Sequence, residues 1–357
     1  MPSTAKILNN IDLLSEENVK KYILPQYNLA NADITQIKFK DTDKQRAVYK
    51  VEYLDQCYCL KKVYYPVKDL LFVYSAIEWL YRNNIHVPRI LPTNTNSRFI
   101  NYNNMLFILT PWVNGIKCDY DNINHILASS TNLANMHKVS VTFKPIYGSS
   151  AKENYSILGT SIYKHYESLL NFSNLAYKYD DAFSILYLEH FDSSIKLAKC
   201  STDIAYHIVQ NNLTKSLCHL DYVNKNIIFD TNNAIWVIDF DKCRNDYCAH
   251  DISYCLRRLL KRDSTKWNLE LAINFLELYD KILPLTLDDY KYILVYLAFP
   301  QRYWKISRDY YANINKCNKK TFINLLTNST DKNEYQLDFV FGLKGYIENK
   351  FKITHLI

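Results

Sequence analysis

The 357-residue chain has no C-x-x-C pair, no apolar run near the ~20 residues a membrane span needs, and only five glycines, at positions 115, 148, 159, 342 and 345. Each absence narrows the field. Nine cysteines, an odd number without paired spacing, support neither a zinc framework nor a disulfide scaffold and point to synthesis in a reducing cytoplasm. The opening Met-Pro-Ser-Thr-Ala-Lys lacks a basic segment followed by an apolar one, so neither a signal peptide nor a membrane partner is expected. Scarce glycine with abundant Asn, Lys, Ile and Tyr reads as coding bias. The formal charge of +7 comes from dispersed basic residues, and the 31 tyrosines are too scattered for a stacking surface, so nucleic acid is not an expected partner.

What is present reads as a β-rich segment followed by a helical one. Between Ile34 and Val63, I-T-Q-I-K-F, R-A-V-Y-K-V-E-Y and Q-C-Y-C-L-K-K-V alternate as strands separated by turn-like K-D-T-D-K and L-D, which predicts an antiparallel meander. Pro66 ends it. Asp69 is the expected cap of a helix carrying Leu70, Val73, Tyr74, Ile77, Leu80 and Tyr81 on one face. N-Y-N-N-M-L-F-I-L-T predicts a further strand pair, and P-W-V-N-G breaks the pattern. Beyond it, Ile123, Ile126, Leu127, Leu133, Ala134 and His137 share a helical face. Two helices are expected within about 160–212, a hairpin follows, and after Asp251 the stripe Ile252, Cys255, Leu256, Leu259, Leu260 opens a helical run to about residue 315. The expected class is α+β: a small β-rich lobe over 1–110, a connection over 111–116, and a larger helical lobe over 117–357.

The hairpin is flanked by the chemically suggestive residues. Residues 218–226 read C-H-L-D-Y-V-N-K-N, and V-I-D-F-D at 237–241, with Asp239 thirteen residues after Asn226, closes the hairpin. Phosphoryl transfer needs a carboxylate near the acceptor hydroxyl and hard oxygen ligands for Mg²⁺. Asp221 and, five residues on, Asn226 can supply both, and Asp239 a second metal oxygen. The competing reading is a turn, in which Asp and Asn are ordinary loop residues and His219 is a packed imidazole. The charged pair after the apolar run A-I-W-V-I needs a reason to be there and favours chemistry.

The runs C-H-L-D-Y-V-N-K-N-I-I-F and W-V-I-D-F-D resemble the phosphotransferases of protein-kinase-like fold that include aminoglycoside phosphotransferases and choline kinase. T-P-W-V-N-G, H-D-I-S-Y-C-L-R-R and F-P-Q-R-Y-W-K-I are similar to the bacterial spore coat branch, the CotS-related proteins, over nearly the whole chain. The resemblance implies an ATP- and Mg²⁺-dependent kinase of a small-molecule hydroxyl, located at the spore coat among other coat proteins. It makes Asp221 the catalytic acid, Asn226 and Asp239 the metal ligands, and His219 a scaffold residue of the loop. Lys61, or Lys62 one register position on, becomes the phosphate-binding lysine, with Glu78 as its ion-pair partner. Adenine would lie against Thr110, Trp112 and Val113.

Two departures from the family pattern stand out. No glycine lies in the turn K-F-K-D-T-D-K-Q, where protein kinases cover the phosphates, and Leu220 stands where the aminoglycoside-type loop has Gly. The first departure leaves a catalytically inactive coat protein as the alternative. Arg257, Arg258, Lys261 and Arg262 follow Asp251 along one helix, where they suit the macrodipole and read as structural. Glu167, Glu189 and Asp192 could suit a cationic acceptor, although helix-surface carboxylates are commoner.

Overall fold

A computed structural model describes residues 13–40 and 46–356, which fall into two compact units. The turn expected to cover the phosphates lies largely outside the described residues, since 41–45 are not among them. Besides the described residues up to Lys117, the first unit takes in 143–152 and 225–241; the remainder forms the second.

The first unit is built on strands β1 (Asp33–Lys40), β2 (Arg46–Tyr53), β3 (Gln56–Val63), β4 (Ile100–Tyr102) and β5 (Met105–Pro111). Their antiparallel order is β1-β2-β3-β5-β4. Period-2 alternation produces the expected meander: Ala47, Tyr49 and Val51 of β2 and Leu60 of β3 are buried, and pack with Val19, Leu24, Phe107 and Leu109 into one core. The helix Val67–Arg82 follows. Its cap is Pro66 rather than Asp69, because proline lacks only an N–H that the first turn does not use, while Asp69 lies inside that turn and accepts from Ser150 Oγ at 2.6 Å.

The hairpin Ile227–Phe229 and Ile235–Val237 also belongs to this unit, and Ile116–Lys117 pairs with Phe229 and Ile228. Gly115 makes that pairing possible. Its φ is +151°, and a Cβ there would lie 2.2 Å from the Phe229 carbonyl oxygen.

The second unit is helical around one short ribbon, Lys215–Cys218 paired with Arg244–Tyr247. Three helices, not two, occupy the region before it: Leu158–Tyr179, Ala182–Glu189 and Phe191–Tyr206. Helices also run past residue 315, through Lys319–Thr330 and Asn333–Phe351. No helix among the described residues is long and apolar enough to cross a membrane.

Candidate active site

In the first unit, alternation along β3 sends Lys61 to the face opposite Leu60 and Lys62, both of which are buried. Lys61 Nζ lies 2.7 Å from Asp239 Oδ1 and 2.6 Å from Asp241 Oδ1. One ammonium therefore meets two carboxylates. Burial, the largest influence, pushes the Lys61 pKa down, but Asp241 and Asp239 together outweigh it and hold the ammonium above the usual lysine range. Burial lowers the Lys62 pKa.

Asp239 leaves the hairpin with φ +68°, a left-handed conformation that Asp tolerates better than most residues. Just before it, Ile238 N–H donates to the Asn226 carbonyl at 3.0 Å, tying the hairpin exit to Asn226, whose side chain is buried. Asp241 Oδ1 also accepts from Tyr65 O–H at 3.3 Å, while Asp241 Oδ2 is buried and has no hydrogen-bond partner. A buried carboxylate oxygen without a partner is costly, and a divalent cation would satisfy it. Asn226, Asp239 and Asp241 present the hard oxygens that Mg²⁺ prefers, so the donor set fits that ion. Sequence reasoning gave Asp241 no role, although the paired acids of I-D-F-D were the available signal.

Glu78 does not pair with Lys61. Its carboxylate is taken in two-point fashion by Arg89, with Nε at 2.9 Å from Oε1 and Nη2 at 2.7 Å from Oε2. The planar guanidinium matches both oxygens at once, which an ammonium cannot do, and Lys61 already has two acids. Thr110 lies opposite Cys59 across β3 and β5, and Trp112 N–H extends that pairing by donating to the Cys57 carbonyl at 2.9 Å. Trp112 is half-buried with Lys50 Nζ 5.9 Å from its ring, so it is no core tryptophan, and Val113 is half-buried beside it.

In the second unit, the loop after Cys218 is braced by Asp251. Its Oδ2 accepts from His219 N–H at 2.6 Å and its Oδ1 from Leu220 N–H at 3.0 Å, while His137 Nε2 lies 3.2 Å from Oδ2. His137 Nδ1 in turn bonds the Tyr279 hydroxyl at 2.6 Å. Burial raises the Asp251 pKa, but His137 and the His219 N–H reverse this and hold the carboxyl below its ordinary range. His137, Cys218 and Asp251 are close enough to hold a metal, yet these hydrogen bonds already occupy both His137 nitrogens and both Asp251 oxygens.

The brace forces Leu220 to φ +57°, a conformation that favours glycine. Asp221 N–H donates to His219 Nδ1 at 3.2 Å, which makes His219 a scaffold group with its proton on Nε2. Asp221 is 6% exposed, and its Oδ1 accepts from Lys242 Nζ and Tyr254 O–H, each at 3.3 Å. Tyr222 O–H donates to the Ser129 carbonyl at 2.8 Å, and Asn224 N–H to Tyr120 Oη at 3.1 Å. The loop is thus fixed on both sides of a carboxylate that Lys242 and Tyr254 hold in place, and positioning of this kind is one requirement of a general base. Lys242 and Tyr254 were not found from the sequence, where neither carries a spacing signature.

Residues 41–285 match the phosphotransferase enzyme family. Among solved structures, the fold is similar to an aminoglycoside phosphotransferase from Alicyclobacillus acidocaldarius, with TM-score 0.74 and 18% identity over 92% of this chain and 96% of that one. It is also similar to an amicoumacin kinase in complex with AMP-PNP and Ca²⁺, with TM-score 0.61 and 14% identity over 92% of this chain and 95% of that one. These likenesses establish the α+β, protein-kinase-like fold. A homoserine kinase from Bartonella henselae is 34% identical over 74 residues, a match spanning 21% of this chain and 23% of that relative's length.

Proposed function

The chain belongs to the phosphotransferase enzyme family, and on that premise we propose that it transfers the γ-phosphoryl group of ATP, with Mg²⁺, to a hydroxyl of a small molecule. The observation that carries the reading is Lys61 held by Asp239 and Asp241 while Asp241 Oδ2 stays buried and unbonded. Such a cluster is poised for polyphosphate and a divalent cation: when these bind, Lys61 can turn to phosphate oxygens as the carboxylates take metal charge.

Asn226 and Asp239, with Asp241, would hold Mg²⁺, which supplies charge neutralisation on the phosphates. Asp221 takes the proton of the acceptor hydroxyl as its oxygen bonds to phosphorus and ADP leaves. Lys242 and Tyr254 keep its carboxylate aimed. Glu78 and Arg89 steady the helix Val67–Arg82, and the backbone at Thr110, Trp112 and Val113 is offered to the adenine edge. The nucleotide analogue in the amicoumacin kinase structure is consistent with that choice of donor. H-D-I-S-Y-C-L-R-R and F-P-Q-R-Y-W-K-I support the finer association with the spore coat.

The test is thermal unfolding with ATP and Mg²⁺ together with ADP release in the presence of hydroxyl acceptors. Asp221→Asn should keep the nucleotide-induced stabilisation and lose turnover by about 10²–10⁴, the range for removal of a general base. Asp239→Asn should lose both. Stabilisation without turnover for any acceptor would favour the non-catalytic coat role, and no stabilisation at all would sink the nucleotide reading.

A further inference from the structure

The run F-P-Q-R-Y-W-K-I, which phosphoryl transfer leaves unused, and Arg257 at the end of H-D-I-S-Y-C-L-R-R meet in the second unit around a cavity of about 70 Å³. Arg257, Lys261, Gln301, Arg302 and Lys332 line it, with Trp267 as part of the wall. One acid, Asp331, also lines the cavity, and it neutralises Lys332 at 3.5 Å together with Asp263. The other three cations have no ion pair among the described residues. Arg257 is held in place by its guanidinium lying 4.0 Å from the Tyr296 ring centroid. Two helices, Gln301–Ala312 and Asn333–Phe351, begin at the cavity wall, and their first turns add partial positive charge.

Stabilisation by the helix macrodipole does not account for this cluster. Burial, then the neighbouring Arg258, Arg302 and Arg257 charges, lower the Lys261 pKa, and burial lowers that of Arg257. Cations whose charged forms are disfavoured in the fold weaken it at neutral pH, and an anion would relieve that cost. The cavity has room for something on the order of a few water molecules, which suits one tetrahedral oxyanion head and not a nucleotide base. Glu167, Glu189 and Asp192, once candidates for a cationic acceptor, are exposed and none lines it.

We propose that this cavity binds the phosphate group of a small molecule, recognised by Arg257, Lys261 and Arg302 with Gln301 as a neutral donor. The site is independent of the nucleotide reading.

The experiment is thermal unfolding of the full chain with inorganic phosphate in one arm and glycerol 3-phosphate in the other, with chloride holding ionic strength constant. Wild type and Lys61→Ala should both shift upward, and a larger shift with the ester would identify a phosphorylated metabolite as the natural occupant. The double variant K261Q/R302Q should unfold at or above the wild-type midpoint without ligand, because repulsion is relieved, and should not respond to either probe. An undiminished response in the double variant, no response in wild type, or an equal response to chloride would each overturn the proposal. Loss of the response in Lys61→Ala alone would overturn it too, by assigning the anion to the nucleotide residues.

Discussion

Lys61 ties two acids of the first unit together. It neutralises Asp239, whose side chain is 33% exposed, and Asp241, which is 7% exposed. Removing one partner of a fully buried pair leaves an uncompensated charge costing about 3–5 kcal/mol, and the partial exposure of Asp239 reduces this to about 2 kcal/mol. Lys61→Met should therefore lower stability by about that amount in chelator and recover much of it in Mg²⁺, because the freed carboxylates become a stronger cation site. Denaturant titrations with and without Mg²⁺ check this, and equal losses in both would remove the metal from the argument. At this scale the sequence singles out Asp221, Asn226 and Asp239 as candidates because their spacing is tied to one loop and one hairpin, and their roles belong to the proposed function. The Glu78–Arg89 pair was not legible: eleven residues separate the partners across a helix end, and no periodicity marks such a contact.

The loop after Cys218 shows two local preferences in conflict. Asp251 draws the His219 and Leu220 N–H groups to one carboxylate, and Leu220 accepts a left-handed backbone to comply. Glycine there would relieve strain of roughly 1–2 kcal/mol. It would also forfeit a leucine side chain that is 9% exposed, and truncating a buried leucine costs about 2–5 kcal/mol. Packing wins, so Leu220→Gly should destabilise by about 1–2 kcal/mol despite restoring the residue usual in related loops. A gain in stability would show that strain dominates. The strands and the hairpin Ile227–Phe229/Ile235–Val237 were legible as elements because alternation and turn residues agree. The extra helix was not, because the break is made by Asp180, in a left-handed conformation at φ +45°, and Asp181, an N-cap, with no glycine or proline to announce it.

Asp181 carries a pH signature. Burial raises its pKa, but hydrogen bonds from Tyr310, Lys319 and Ser184 prevail and bring it to about 2. A carboxyl depressed in the folded state adds stability above its ordinary pKa and loses it as pH falls through the folded value. Asp181→Asn keeps a capping oxygen and removes the charge, so it should cost about 1 kcal/mol at neutral pH. That difference should close between about pH 4 and about 2. A difference that persists unchanged at the acid end would mean the charge contributes nothing.

For the whole molecule, the order of β-rich then helical chain was legible, but the membership of 143–152 and 225–241 in the first unit was not. Local periodicity does not say which core a segment joins: Phe143 joins this one by packing edge-on against Phe72 and Trp79. Because the chain passes between the units five times, neither can unfold without releasing segments threaded through the other's sequence, and a single cooperative transition is expected. On the proposed function, nucleotide with Mg²⁺ at about a hundred times its dissociation constant would stabilise by roughly 2.7 kcal/mol. Unfolding entropy of about 2.1 cal/mol/K per residue turns this into a midpoint shift of about 4 °C if the whole chain melts together, and about 9 °C if the first unit, of roughly 140 residues, melts alone. Calorimetry should therefore give one peak moving by about 4 °C. Two peaks, with only one moving by about 9 °C, would show that the interleaved chain path does not couple the units.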